Sequence, residues 1–405
     1  MKILQVHNFY QQPGGEDLAF ATECDLLTSH GHTVLRYTAH NDAITGMSSL
    51  GSGFGTVWNS TSFRNLTQLL KTEAPDIVHA HNTFPLISPS LYDAAHHAGI
   101  PVVQTLHNYR LLCPSATLYR NGTVCEECVG SLAPYRAVIH GCYRNSSLAS
   151  AAVASMLTIH RIAGTWTRKV NTYIALTEFA RNKFIQGGLP SERITVKPCV
   201  LAEDPGEGDG GEGYALFAGR LAPEKGLGTL LDAWERLGGR MPLRIAGSGP
   251  LAHYVQSRCE RLANTQYLGQ CSRATIRDLL QKAAVLVVPS GWYEGCPLSI
   301  VEAFACGTPV IASRLGSLGE VVSDGANGFH FHPHDPADLA DKVERVLADT
   351  GKRLAMRRAA RATYEAEYTA EMNYQLLLEI YRKSLDRAVE YTGALQQLQS
   401  SGDPQ

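Results

Sequence analysis

Apolar residues in this chain fall into short, nearly unbroken runs separated by longer amphipathic stretches. In the first half, Lys2–His7, Thr33–Tyr37, Ile77–His79, Val102–Leu106, Tyr173–Leu176 and Ile194–Val196 read as strands. Leu18–His30, Phe63–Lys71, Ser90–His97, Ser147–Asn171 and Glu178–Gln186 carry helical spacing. The second half repeats the alternation. Tyr214–Phe217, Leu243–Ala246, Val285–Pro289 and Val310–Ala312 read as strands; Gly228–Leu237, Leu251–Ala263, Ala274–Lys282, Leu298–Cys306 and Pro336–Ala348 read as helices. Strands apolar on both faces and alternating with helices predict parallel sheets covered on each side.

Between the halves lies Glu203–Gly213, built from glycine and acid with nothing apolar to bury, the composition of a linker. The fold class expected is α/β, with two Rossmann-like parallel-sheet domains facing a cleft. The first spans 1–202, with a cysteine-rich insertion near 108–146. The linker is 203–213, the second domain 214–370, and a helical tail occupies 371–405. At 405 residues and 44% hydrophobic content the chain can fill two cores. No stretch of 18 apolar residues is present, so no membrane-spanning helix is expected, and the opening Met1–His7 is too short for a signal peptide. A cytoplasmic location follows as the expectation. A net charge of -2 gives nucleic-acid binding no support. The charge is uneven, however. Val103–Ala202 holds eleven Lys/Arg against four Asp/Glu, a local +7. Such a run usually solvates helix faces. Its alternative is a surface for an anionic lipid leaflet or an acidic acceptor, with peripheral contact at the inner face of the membrane.

Several short segments carry chemistry. Glu294 and Glu302 stand eight positions apart, the first after a strand, the second inside a helix. Backbone N–H groups at the helix start between them form an anion cradle. Two carboxylates flanking an anion site suit a ligand with hydroxyls at both ends and phosphate between, such as a nucleotide-sugar. Arg220 and Lys225 follow the first strand of the second half, across a Pro223 turn; a planar fork and a point charge both suit a diphosphate. No Asp-x-Asp is present to hold a divalent metal, so these cations and helix amides would neutralise a leaving diphosphate.

These segments resemble the motifs of the family 4 retaining glycosyltransferases, which have the GT-B fold. Glu294 to Glu302 resembles the family's E-x7-E. Gly219-Arg220-Leu-Ala-Pro-Glu224-Lys225-Gly226 resembles its G-R-L-x-x-E-K-G. Ala246-Gly247-Ser-Gly249-Pro250, Tyr267-Leu268-Gly269, Pro13-Gly14-Gly15, Asp76-Ile-Val-His79-Ala-His81 and Thr105-Leu-His107 match further segments in the family's order. The resemblance implies a metal-independent glycosyltransferase that retains anomeric configuration and needs no catalytic cofactor. The donor would be a UDP-, GDP- or ADP-linked sugar and the acceptor a glycan or a lipid-linked molecule. His107, Glu294, Arg220 and Lys225 would be catalytic. Gly14, Gly15, Arg220, Lys225, Gly247, Gly249, Leu268, Glu294, Cys296, Pro297, Leu298, Ser299 and Glu302 would hold the donor, with Glu302 on the ribose hydroxyls and Glu294 on the sugar ring. His79 and His81 are less defined; His79 suits a packed strand end. The tail is expected to return to the first domain. Two other classes stay open: another GT-B enzyme such as a sugar-nucleotide epimerase, and a non-catalytic zinc-bearing scaffold of a polysaccharide assembly complex.

Ten cysteines are present, four of them clustered as Cys113, Cys125, Cys128 and Cys142. That spacing suits a structural tetrahedral zinc, two disulfides, or four separate thiols. Cys24, Cys199, Cys259, Cys271, Cys296 and Cys306 are expected to be small buried apolar residues.

Overall fold

The structure is a computed structural model that describes the backbone of residues 1–11, 14–46 and 49–400, and the side chains of 1–11, 14–44 and 53–388. Pro13 of the expected glycine-rich loop and residues 401–405 of the tail lie outside the described residues. The chain divides into two compact units. One comprises Met1–Thr117, Glu126–Lys197 and Asn373–Gln405; the other comprises Leu118–Cys125 and Pro198–Met372.

The first unit is built on β1 (Lys2–Phe9), β2 (Thr33–His40), β3 (Ile77–Asn82) and β4 (Val102–Thr105). Past the excursion β5 (Tyr119–Arg120) and β6 (Thr123–Val124) come β7 (Thr172–Ala175) and β8 (Ile194–Val196). The parallel sheet runs β2-β1-β3-β4-β7-β8. Its order reverses at β1, so the crevice outside the carboxyl ends of β1 and β3 is where such a sheet holds ligands. The antiparallel pair β5–β6 groups with the second unit.

The second unit carries β9 (Ala215–Ala218), β10 (Leu243–Ala246), β11 (Thr265–Gly269), β12 (Val285–Val288), β13 (Val310–Ser313) and β14 (Gly328–Phe331). The order β11-β10-β9-β12-β13-β14 is the doubly wound arrangement, with its reversal between β9 and β12. Alternation along these strands serves two cores. Phe217, Ile245, Val285, Val287 and Ile311 face one layer with Trp234 and Leu339. Leu216, Leu286, Val288, Val310 and Ala312 face the other with Phe304 and Tyr364. A side chain such as Leu286, fully removed from water, contributes about 1.5–3 kcal/mol.

Local differences from the expected elements have physical causes. Ser147–Asn171 is two helices, Ser147–Ile162 and Thr165–Arg168, because Gly164 between them adopts φ +67°. Leu251–Ala263 narrows to Ala252–Cys259. The helix Thr350–Glu367 and the strands β11 and β14 were not in the expected set. The glycine-acid run 203–213 forms no regular element, yet it is tied down within the second unit. Gly208 N and Gly210 N donate to Cys306 O at 3.0 Å and Gln281 O at 2.9 Å. Arg361 grips both oxygens of Asp204 at 2.7 Å, and buried Arg357 donates to Gly208 O. Lacking apolar side chains, the segment is held through its backbone and its carboxylates.

The tail forms the helix Ala370–Ser400. From Asn373 on it belongs to the first unit. Tyr374, Leu377, Leu378, Ile380 and Tyr381 share a core with Ile3, Leu27, Ile77, Val103 and Ile174. Leu377 is fully buried there. Leu377→Ala should therefore destabilise the first unit by ~2–5 kcal/mol in urea titration; a loss under about 0.5 kcal/mol would mean the helix is not part of that core.

Candidate functional site

In the second unit, the loops after β9 and β12 meet at the sheet's reversal point. The approach is close enough to require glycine. Gly226 has φ +70°, and a Cβ there would stand 1.8 Å from Pro289 O. Gly291 N donates to Glu224 O at 2.8 Å, and Ser313 Oγ fixes Ser290 O at 2.6 Å from β13. Held this way, Lys225 Nζ reaches both oxygens of Glu294, at 2.8 and 3.0 Å. Ser290 Oγ donates to Glu294 Oε1 at 2.5 Å. Lys225 Nζ also lies 5.2 Å from the centre of the Trp292 ring. Glu294 is 6% exposed. Burial raises its carboxyl, but the Lys225 ammonium and the Ser290 hydroxyl hold it below the usual carboxylate range. It is an ionised group kept in place by a cation that is only partly covered.

Arg220 projects into solvent and pairs with Glu224. The two expected phosphate ligands thus rest on different acids, Arg220 on Glu224 and Lys225 on Glu294. Gly247 (φ +144°) and Gly249 (φ +153°) allow the loop after β10 to press on the loop after β9; a Cβ on Gly247 would meet Gly219 O at 1.9 Å. Their role is loop-on-loop contact, and the helix that follows starts at Ala252. Leu268 is half-buried in β11, and Gly269 O accepts from Gly247 N at 2.8 Å. Pro297 caps the helix Leu298–Ala305, which carries half-buried Leu298, Ser299 and Glu302. Burial raises the Glu302 carboxyl, against the pull of Arg273 and Arg277. Cys199 and Cys296 correct the expectation of isolated apolar thiols: they form a disulfide, with Cα atoms 6.4 Å apart, that tethers the loop between Glu294 and Leu298 to the start of the second unit.

In the first unit, polar side chains gather at the carboxyl ends of β1, β3 and β4. Asp17, in the first turn of the helix Gly15–Ser29, accepts from Gly14 N at 2.7 Å and lies 2.7 Å from His7 Nε2. This fixes the Gly14–Gly15 turn. Glu16 accepts from Asn108 Nδ2 at 2.6 Å and Tyr10 OH at 3.1 Å. His107 does not stand alone. Its Nε2 is 2.9 Å from His81 Nδ1, and the rings stack at 5.2 Å. Burial pushes the His107 imidazole down to about 3, and those of His79 and His81 well below their ordinary value. His79 is satisfied by side chains, Tyr381 OH and Thr105 Oγ1, both at 2.8 Å. Sequence reading passed over Gln5, Glu23 and Lys197, although charged residues inside apolar helix and strand patterns were the available signal. Lys197 Nζ donates to Glu23 Oε1 at 2.6 Å and Asn373 Oδ1 at 3.0 Å, all three buried. Removing one member of such a pair costs roughly 3–5 kcal/mol. His81, His107, Asn108, Arg110, Gln104 and Trp166 line a recess that opens to solvent.

The four clustered cysteines divide between the units, Cys125 in the second and Cys113, Cys128 and Cys142 in the first. Among the described residues, the set of potential metal ligands with donor atoms mutually within 4.8 Å is Glu23, His79 and His81. At the Glu23 set the cation is already supplied by Lys197.

Sequence comparison identifies the chain's relatives. The family profile Glycosyltransferase Family 4 matches residues 22–201, and Glycosyl transferases group 1 matches 204–363. The chain belongs to the family 4 glycosyltransferases. An uncharacterized glycosyltransferase of Methanocaldococcus jannaschii is 32% identical over 200 residues, 48% of this chain and 50% of that one. D-inositol 3-phosphate glycosyltransferase 1 of Catenulispora acidiphila is 29% identical over 338 residues, 77% of this chain and 73% of that one. The matches to the two first-ranked curated relatives span 50% and 39% of their length. Among solved structures, HepE of Anabaena in complex with UDP superposes with a TM-score of 0.68 at 21% identity, covering 94% of this chain and 99% of that one. That likeness and the two six-stranded parallel sheets give the two-domain GT-B fold.

The half-buried Glu302 carboxyl supplies a test of the site's electrostatics. Its folded-state pKa is raised, so folding favours the protonated form. That contribution is fully present below the ordinary carboxylate range and is lost as pH rises through the folded value. Glu302→Gln should then raise the melting temperature of the ligand-free protein at pH 7 and leave it nearly unchanged at pH 4; a lower melting temperature at pH 7 would contradict the burial argument.

Proposed function

We propose that this chain is a retaining, metal-independent glycosyltransferase. It moves a sugar from a nucleoside diphosphate sugar to a glycan or lipid-linked acceptor. The observation that carries the reading is the Lys225–Glu294 contact at the reversal point of the second sheet. A diphosphate arriving there would draw Lys225 from Glu294, freeing the carboxylate to accept from sugar hydroxyls. Arg220, already in solvent, adds a second positive charge. Both cations would neutralise the leaving diphosphate, which is the electrostatic demand of glycosyl transfer. Glu302 would accept from the ribose hydroxyls, and backbone groups from Cys296 to Ser299 would receive phosphate oxygens. A solved neighbour, HepE of Anabaena, is known with UDP-glucose, which makes UDP-glucose the first donor to try.

His107 would hydrogen-bond the transferred sugar, and the recess beside it would take the acceptor. The protein's share of catalysis is then positioning and charge stabilisation, with the leaving diphosphate taking the acceptor's proton on the same face.

Contact with an anionic lipid surface fits the helix Ser147–Ile162. One stripe of it, Leu148, Ser155, Ile159 and Ile162, is exposed, with Leu148 and Ile162 each 68% accessible. Residues 128–177 contain no acid and five Lys/Arg, of which Arg136, Arg144 and Arg168 are exposed. Apolar side chains rimmed by arginine suit a headgroup boundary.

Transfer should be tested with a panel of nucleotide-sugars in EDTA, following the product's anomeric configuration by NMR. Lys225→Ala or Glu294→Ala should lower kcat/KM by about 10²–10³-fold, the scale of losing one preorganised charge contact. Wild-type turnover in either variant, or C2 inversion of the donor without transfer, would overturn the assignment. Sedimentation with phosphatidylglycerol vesicles should pull down the protein, and Ile159→Asp/Ile162→Asp should release it. Equal binding by that variant, or equal binding to phosphatidylcholine, would contradict the lipid surface.

A further inference from the structure

The geometry points to a proton-fixing relay, in which Glu23 and Gln5 act through His81 to hold His107 as the tautomer with hydrogen on Nε2 and a bare lone pair on Nδ1. The purpose of the relay rests on the reading that His107 meets substrate. The relay itself can be read from contacts inside the first unit.

Two neutral imidazoles that share one hydrogen bond must divide the roles: one nitrogen donates and the other accepts. Which does which is decided at the far side of His81. There His81 Nε2 faces Gln5 Oε1 at 2.9 Å and Glu23 Oε2 at 3.5 Å. Neither an amide oxygen nor a carboxylate oxygen can donate, so His81 Nε2 carries the hydrogen. Glu23 is kept ionised because Lys197 binds its other oxygen at 2.6 Å. Glu23 Oε2 has no closer hydrogen-bond partner among the described residues. Its charge therefore acts on His81 and on His79, 3.6 Å away. That carboxylate also selects the orientation of the Gln5 amide. The opposite orientation would set an N–H against the same ring nitrogen and leave the carboxylate facing a lone pair.

With His81 neutral and protonated on Nε2, its Nδ1 is an acceptor. His107 Nε2, at 2.9 Å, must then be the donor. The low proton affinity that burial imposes on both rings keeps a second hydrogen out of the pair. His107 Nδ1 is left unprotonated, and among the described residues no hydrogen bond reaches it. His107 can thus accept a hydrogen bond from a sugar hydroxyl and cannot donate one to a phosphate or ring oxygen. Gln5, Glu23 and His81 are positioning residues. They select the ligand group that His107 can serve: a hydroxyl.

The test uses the full chain labelled with 15N-histidine, without substrate, in long-range proton–nitrogen correlation spectra at pH 7. His107→Gln identifies the signals. The wild type should show His107 Nδ1 at the shift of an unprotonated ring nitrogen and Nε2 at that of a protonated one. The paired variant Glu23→Gln/Lys197→Met, which leaves no unmatched buried charge, should move His107 toward Nδ1–H. Adding Gln5→Leu to that pair, which removes the remaining acceptor from His81 Nε2, should complete the shift and lower kcat by ~10–100-fold, the scale of losing a group that orients a functional histidine, with KM for the donor unchanged. A protonated Nδ1 in the wild-type spectrum would overturn the relay even if neither variant folds. A His107 pattern unaltered in both variants would also overturn it. Wild-type turnover in His107→Ala, with the spectrum as expected, would instead remove the substrate role of His107.

Discussion

The second unit depends on a backbone contact that only glycine permits. Gly226 sits against the carbonyl of Pro289, and that approach brings the loop after β9 onto the loop after β12. Sheet order supplies the rest. Because β9 and β12 are neighbours at the reversal point, their carboxyl-end loops leave in opposite directions along the sheet and frame a crevice. Lys225 and Glu294, 69 positions apart in the chain, become hydrogen-bonded as a consequence. Gly247 serves the same end from the other side, where it lies against Gly219 O. The glycines of these loops are thus explained first by packing of one loop on another, and by ligand approach only through the crevice this packing leaves.

The first unit solves a different problem. It buries charge at its centre, Lys197 against Glu23, and surrounds the pair with Gln5, His79, His81 and Asn373. A buried network of this kind is favourable only when nearly every donor and acceptor is matched. Matching fixes tautomers, and tautomers fix what the outermost ring can offer to a ligand. Asn373 and Tyr381 come from the returning tail helix, so the tail completes the network as well as the apolar core.

The first sheet and the four inner strands of the second were legible from apolar runs, since strands buried on both faces advertise themselves. So were the residues flanking the reversal point of the second sheet, because glycine, lysine and glutamate at fixed offsets are chemically conspicuous. Contacts across long sequence separations were not. Nothing local tells that Lys225 rests on Glu294, or that Cys296 joins Cys199. The missing helix Thr350–Glu367 is rich in arginine and alanine and shows little apolar stripe, while β14 begins at Gly328, packed against Val310 O. The glycine-acid run 203–213 looked free because its anchors, Arg357 and Arg361, lie some 150 residues away. Glu23 and Lys197 passed unremarked because their burial depends on strands and a tail helix far apart in the chain.

The central claim is that the Lys225–Glu294 contact is the resting state of a diphosphate site. A crystal structure of the chain soaked with UDP tests it most directly. The account predicts phosphate oxygens within hydrogen-bond reach of Lys225 Nζ and of the backbone near Ser299, with Lys225 drawn away from Glu294. UDP bound elsewhere, or a diphosphate in place with the Lys225–Glu294 bond intact at 2.8 Å, would contradict it.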